Sequence, residues 1–199
     1  MRCILCESWS FSTICKSCQN NILQPNIYKR YLKSGLKVYS FYDYDDVDDL
    51  IKTKKSYLGF YVLNILAKLS FGKFAREWTG IDFKAVPIDD VVSSSGFSHT
   101  AILTHALNSQ NKKINILYQT LISNNRVQYF GKSLKFRREN KRDFKLMRNI
   151  KNLNIVLIDD VVTTGSTLME AEKIIKQNGG NLLFCLTLAT TKLNRESKN

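Results

Sequence analysis

Apolar positions in this chain alternate between short runs and longer stretches with helical spacing. Leu36-Lys37-Val38-Tyr39-Ser40-Phe41-Tyr42 alternates enough to predict a strand. Val47 to Lys55 and Tyr57 to Ser70 predict helices. In the second, Leu58, Tyr61, Val62, Ile65, Leu66 and Leu69 recur as one broad apolar face. Phe83-Lys84-Ala85-Val86-Pro87 predicts a short buried strand, followed by the loop Ser93-Ser94-Ser95-Gly96 and a helix from about Phe97 to Leu107. Ile114 to Tyr118 predicts a strand. Asn154-Ile155-Val156-Leu157-Ile158-Asp159 is the clearest buried strand, and Gly165 to Asn178 the clearest amphipathic helix, ended by Gly179-Gly180. Leu182 to Leu188 predicts a last strand. Strands alternating with helices predict an α/β fold: a mostly parallel sheet flanked by helices, with right-handed crossovers.

A length of 199 residues suits one such domain with a small appendage. The expected division is a cysteine knuckle over 1–20, a connector over 21–35 with Pro25 as a breaker, the α/β domain over 36–191, and a polar tail over 192–199. No apolar run approaches the ~20 residues of a membrane span. The longest, Tyr57 to Phe71, is interrupted by Asn64 and Lys68. The start, Met1-Arg2-Cys3-Ile4, lacks the pattern of a secretory signal. The expectation is a cytoplasmic protein with no transmembrane segment.

Four of the five cysteines form two pairs, Cys3-Ile4-Leu5-Cys6 and Cys15-Lys16-Ser17-Cys18, with eight residues between. Each pair lets two thiolates reach one ion, and two pairs complete a tetrahedral zinc site. Disulfides are the competing reading, disfavoured without a secretory signal. So short a segment cannot bury its own core, so a structural Zn²⁺ would supply its folding energy. Trp9, Phe11 and Ile14 lie between the pairs; they would cap the site, dock it on the main domain, or stack on a base. Cys185, in an apolar run, reads as an inert core thiol.

Charge changes the picture further. The net charge is +13, and Arg126 to Lys151 holds ten basic and two acidic residues. Tyr129, Phe130, Phe136 and Phe144 are interleaved with them. Cations tracking phosphates and rings stacking on bases suit a single-stranded nucleic acid, with Lys132, Lys135, Arg137, Arg138, Lys141, Arg142 and Lys145 as candidate contacts. A solvated helix with inward aromatics explains the same segment about equally well.

The most informative string is Ile155-Val156-Leu157-Ile158-Asp159-Asp160-Val161-Val162-Thr163-Thr164-Gly165-Ser166-Thr167. A buried strand runs into two carboxylates, then a hydroxyl-and-glycine loop, then a helix. Ligands of open α/β sheets sit at the carboxyl ends of strands. Amides at a helix N-terminus bind anions, and Gly165 permits close backbone approach. Thr163, Thr164, Ser166 and Thr167 add hydroxyls. The loop therefore predicts a phosphate cradle. Asp159 and Asp160 would repel a phosphate directly, but accept hydrogen bonds from sugar hydroxyls beside one. A phosphorylated ribose is the implied ligand.

Asp159 to Thr167 resembles the phosphoribosyl pyrophosphate (PRPP) motif of type I phosphoribosyltransferases. The resemblance implies that Asp159 and Asp160 hold the ribose hydroxyls, that Val161 and Thr163 to Thr167 belong to the PRPP site, and that Mg²⁺ accompanies the pyrophosphate. Ser94, Ser95 and Gly96 are weaker candidates for the pyrophosphate side. With the cysteine pairs added, the chain resembles the ComF family of competence proteins, involved in DNA uptake. Val86-Pro87, the Gly96-Phe97 step and Arg137-x-x-Asn140 followed by Phe144 agree with it. Ser95, Ser98 and His99 depart from that family, which usually has Arg before the Gly-Phe step and Asn-Gln after it. The resemblance implies a cytosolic protein that binds incoming single-stranded DNA and PRPP, with other DNA-uptake proteins at the inner face of the membrane as partners. An active phosphoribosyltransferase with Asp159 and Asp160 as catalytic residues, or a scaffold that only senses PRPP, are the alternatives.

His99 and His105 are six apart and read as ordinary, partly exposed histidines. The acids from Asp43 to Asp49 read as a solvated helix start. Lys52, Lys54 and Lys55 loosely resemble a basic step of the same family.

Overall fold

The computed structural model describes residues 1–125 and 142–191. Lys132, Lys135, Arg137, Arg138 and Lys141 lie outside the described residues, as does the 192–199 tail.

Six strands form the main sheet. They are β1 (Tyr28–Tyr31), β2 (Lys37–Asp43), β3 (Phe83–Pro87), β4 (Ile114–Ile116), β7 (Asn154–Val162) and β8 (Asn181–Thr190), in the order β1-β2-β8-β7-β3-β4. The strands from β2 to β4 across this order are parallel, and β1 adds an antiparallel edge through Tyr28 opposite Ser40. Two short strands, β5 (Leu121–Ser123) and β6 (Phe144–Leu146), form a separate antiparallel ribbon. The mostly parallel α/β architecture is as the periodicity predicts.

Both faces of the sheet are covered, as parallel strands require. On β7, Val156 and Ile158 enter one core, with Val62, Leu63, Leu66, Phe71 and Leu103. These come from the helices α3 (Leu58–Leu69), α4 (Phe71–Glu77) and α5 (His99–Gln110). Ile155 and Leu157 enter the other core, with Leu168, Ala171 and Ile175 of the helix α6 (Ser166–Gln177) and with Leu32, Leu36 and Leu121. The stretch Leu58–Glu77 is long and apolar enough to cross a membrane (mean hydropathy 1.2), yet half of it is buried in the chain's own core. It packs as a core element.

Several elements differ from the expectation. The strand through Asp159 continues to Val162, so both carboxylates belong to the strand and only three residues separate it from α6. The helix expected over 47–55 is α2 (Tyr44–Lys52) followed by a 3₁₀ turn, Thr53–Lys55. It starts earlier because Asp43 caps it, its side chain accepting from the Asp45 N–H at 3.1 Å. The α4 helix, the ribbon β5–β6 and the edge strand β1 carry too few periodic positions to be read locally. β1 lies inside the stretch read as a connector.

The knuckle, with its short helix α1 (Lys16–Asn21), is continuous with the main domain. Cys3, Ile14, Cys18 and Leu23 are buried in the same core as α3 and β2. Ile14 therefore docks, whereas Trp9 and Phe11 are exposed.

Candidate functional site: a cleft at the strand ends and a four-cysteine centre

The four predicted cysteine sulfurs lie within 4.8 Å of one another. Cys3 and Cys18 Sγ are 3.9 Å apart, Cys6 and Cys15 Sγ 3.6 Å. Sulfurs about 2.3 Å from one tetrahedral ion stand about 3.8 Å apart, whereas a disulfide would bring them to about 2.05 Å. The spacing fits a metal such as zinc and not a pair of bridges. Backbone N–H groups point at two of the sulfurs, Cys15 N–H to Cys3 Sγ at 3.3 Å and Cys18 N–H to Cys15 Sγ at 3.4 Å. Burial pushes the Cys3 thiol up, but amide donors led by Cys15 outweigh it and bring it to about 6. Burial, then the neighbouring thiols, push Cys18 well up. An electropositive ion among the sulfurs is the natural relief of that conflict.

The cleft forms where the sheet order reverses. From β3 the chain moves outward to its neighbour β4; from β7 it moves to β8 on the other side. The carboxyl ends of β3 and β7 thus diverge, leaving the crevice in which open α/β sheets bind ligands. Residues 88–98 leave β3 there, and residues 163–165 leave β7.

Continuing the alternation of β7, Asp160 points to the α3–α5 face, where it pairs with Lys54 of the 3₁₀ turn. The Lys54 carbonyl oxygen accepts from Ser95 Oγ at 2.9 Å and lies 3.0 Å from His99 Nε2. Lys54 is thus held at its carbonyl by Ser95 and His99 and at its ammonium by Asp160. Burial pushes Asp160 up, but the Lys54 charge and hydrogen bond outweigh it and hold it below the usual carboxylate range. Among the described residues Asp159 has no such ion pair. Burial first, and then the Asp160 charge, raise it to about 7. Burial likewise lowers His99. Two adjacent acids are therefore driven apart in acidity, the arrangement that assigns distinct roles to paired carboxyls.

Beyond Val162 the chain makes a tight turn. Gly165 has φ +75°, and a Cβ there would come within 2.5 Å of Leu32 Cδ2. The positive φ favours glycine, and any side chain there would also force Leu32 to shift. Gly165 caps α6 without a side-chain acceptor, leaving the first-turn amides of α6 to a ligand or to water. Thr164 is exposed, while Val161, Thr163, Ser166 and Thr167 are half-buried. Thr164 Oγ1 donates to Ser166 Oγ at 3.3 Å. On the β3 side, Ser94 and Gly96 are exposed, and Ser95 Oγ lies 2.6 Å from Ser93 Oγ.

Of the candidate nucleic-acid contacts, two are described. Lys145 is exposed on β6. Arg142 is half-buried and pairs with Asp89 at 3.2 Å, beside the cleft. Asn125 N–H donates to the Arg142 carbonyl at 3.1 Å, and Glu170 of α6 accepts from the amides of Arg142 and Asp143. The two residues flanking the undescribed basic segment are therefore fixed at the cleft mouth. Lys54 and His99 are site residues that the sequence reading left aside; the basic step at Lys52–Lys55 was their only local signal.

No protein-family model matches the chain. A transcriptional regulator, GfcR of Methanosphaera stadtmanae, is 41% identical over 51 residues, 26% of this chain and 26% of that protein. The GfcR of Picrophilus torridus is 37% identical over 51 residues, with the same coverage. The chain thus spans about a quarter of the length of the curated relatives it matches. Among solved structures, a hypoxanthine-guanine phosphoribosyltransferase of Bacillus anthracis is similar at 15% identity and TM-score 0.43, over 69% of this chain and 73% of that one. A hypoxanthine phosphoribosyltransferase of Staphylococcus aureus is similar at 14% identity and TM-score 0.41, over 68% and 69%. At these values nothing of those enzymes' substrates or chemistry passes to this chain.

Proposed function

We propose that the cleft binds a ribose 5-phosphate unit, as part of PRPP, and that the chain is a ComF-like protein that also binds single-stranded DNA in the cytosol. The observation that carries the first half is the run from Asp159 to Thr167: two carboxylates at the end of β7, then an uncapped helix start entered through a left-handed glycine. The carboxylates take the ribose hydroxyls, and the amides and hydroxyls of Thr163 to Thr167 take the 5′-phosphate. Ser94, Ser95 and Gly96 face the pyrophosphate side.

Two of the carboxylates at the mouth are already engaged, Asp160 by Lys54 and Asp89 by Arg142. Magnesium therefore fits as a companion of the diphosphate, which brings its own oxygens. The basic segment supports the second half, because its flanking residues are anchored at the cleft mouth.

Two titrations test the reading. Magnesium-PRPP should bind by calorimetry, and ribose 5-phosphate more weakly; no binding of either ends the sugar-phosphate assignment. Single-stranded DNA should bind with a log–log salt slope of about −3 to −4, the value for roughly four to six phosphate contacts. A flat salt dependence ends the DNA assignment. Arg137, Arg138, Lys141 and Lys145, changed together to Ala, should weaken DNA binding without sequence preference; Arg142 is spared because it holds Asp89.

The raised pKa of Asp159 favours a second reading, turnover. A carboxyl at about 7 suits proton transfer at neutral pH, as moving the sugar phosphate onto a base or amine would need. Release of pyrophosphate from PRPP with an added nucleobase would support it, and Asp159→Asn should abolish that release. Binding without release leaves a PRPP sensor.

A further inference from the structure

Arg30 lies on the edge strand β1, and its side chain crosses to the loop after β7. Nη2 donates to the Thr163 carbonyl oxygen at 2.6 Å and Nη1 to Thr190 Oγ1 at 3.2 Å. Its Nε is buried, with no acceptor among the described residues. Two residues on, Leu32 packs against Gly165. Two further, Ser34 Oγ donates to Glu172 of α6 at 2.5 Å. Alternate residues of one ribbon thus brace the phosphate loop and its helix.

The chemistry of an anion cradle explains the arrangement. Amides can face a phosphate only if the carbonyls between them turn away, since a carbonyl oxygen aimed at the anion repels it. Thr163 opens the loop, and its carbonyl is drawn out to the guanidinium. That guanidinium is permanently charged and half-buried, and among the described residues no carboxylate pairs with it. A cation so placed costs stability until an anion arrives.

We propose that Arg30 is a positioning residue for the 5′-phosphate. It turns the Thr163 carbonyl outward so that the following amides face the anion, and it sets a positive charge behind them. The inference rests on the sugar-phosphate reading and names a residue of the N-terminal ribbon as part of that site.

The test uses the full chain, with ribose 5-phosphate and magnesium pyrophosphate as separate probes. Arg30→Met should weaken ribose 5-phosphate by about tenfold or more, the size of one lost charge-assisted contact. Magnesium pyrophosphate, on the Ser94–Gly96 side, should bind as in wild type. Arg30→Lys, which keeps the charge but not the two-pronged contact, should fall between. Melting curves show whether Arg30→Met folds; if it does not, Arg30→Lys decides by the same comparison of probes. Affinity for ribose 5-phosphate within twofold of wild type in the folded variants overturns the inference. Equal loss for both probes also overturns it, since that marks a merely structural role. Failure of the wild-type chain to bind ribose 5-phosphate is a different result and removes the sugar-phosphate reading itself.

Discussion

At the scale of single residues the cleft is defined by a contrast between neighbours. Asp160 is held ionised by Lys54, while burial and the Asp160 charge lift Asp159 from the ordinary 3.8 to about 7. A carboxyl raised in the folded state holds its proton more tightly there than in the unfolded chain. Its contribution favours folding below pH of about 4 and is lost as pH rises through about 7. Asp159→Asn removes that dependence. Melting curves of wild type minus variant should therefore fall between pH 4 and 7, leaving the variant at least as stable at pH 8; parallel curves would refute the shift. The Lys54–Asp160 pair is less than a third exposed on either side. Lys54→Met and Asp160→Asn should each cost about 1–3 kcal/mol, because each leaves a partly buried charge alone. The double change should cost less than the sum, which chemical denaturation can measure.

At the scale of elements, the loop between β7 and α6 depends on one backbone geometry. Gly165→Ala must place a side chain at φ +75° and against Leu32. The expected cost is about 1–3 kcal/mol of stability, with loss of ribose 5-phosphate binding. Leu32→Ala in the same background should recover part of the stability, which separates the contact with Leu32 from backbone strain. The knuckle is an element in the same sense. Its buried cysteines share a core with α3 and β2. If the four sulfurs hold a zinc ion, its chelation should lower the melting temperature of the whole chain in one transition, and Cys18→Ser should do the same. A separate early transition, with the main one unchanged, would mean that the knuckle folds alone.

At the scale of the whole molecule, Arg142 and Asp143, which follow the stretch 126–141 in the chain, are held by Glu170 at the rim of the proposed ligand cleft. If both ligands bind, coupling between them is expected through that rim, and it must be reciprocal. Any factor by which magnesium-PRPP changes DNA affinity must equal the factor by which DNA changes PRPP affinity; a factor of one in both titrations would show that the rim couples nothing.

The sequence by itself determined those features whose physics is local. The cysteine spacing specifies a four-sulfur centre because two residues are what a knuckle needs between ligands. The apolar runs of β3, β7 and β8 specify a parallel sheet because strands buried on both faces cannot alternate. Asp159, Asp160 and Gly165 were legible because a carboxylate pair, a glycine and a helix start follow one another along the chain. What only the tertiary structure decided is what meets across long separations. Lys54 reaches Asp160 over 106 positions, Arg30 reaches Thr163 over 133, and Ser34 reaches Glu172 over 138. Strand order sets each of these, placing β1 and β2 on the β8 side of β7 and the 3₁₀ turn over its carboxyl end. No periodicity in β1 or in Lys52–Lys55 encodes that order, because it is settled by which faces of the sheet remain to be covered once the long elements have packed.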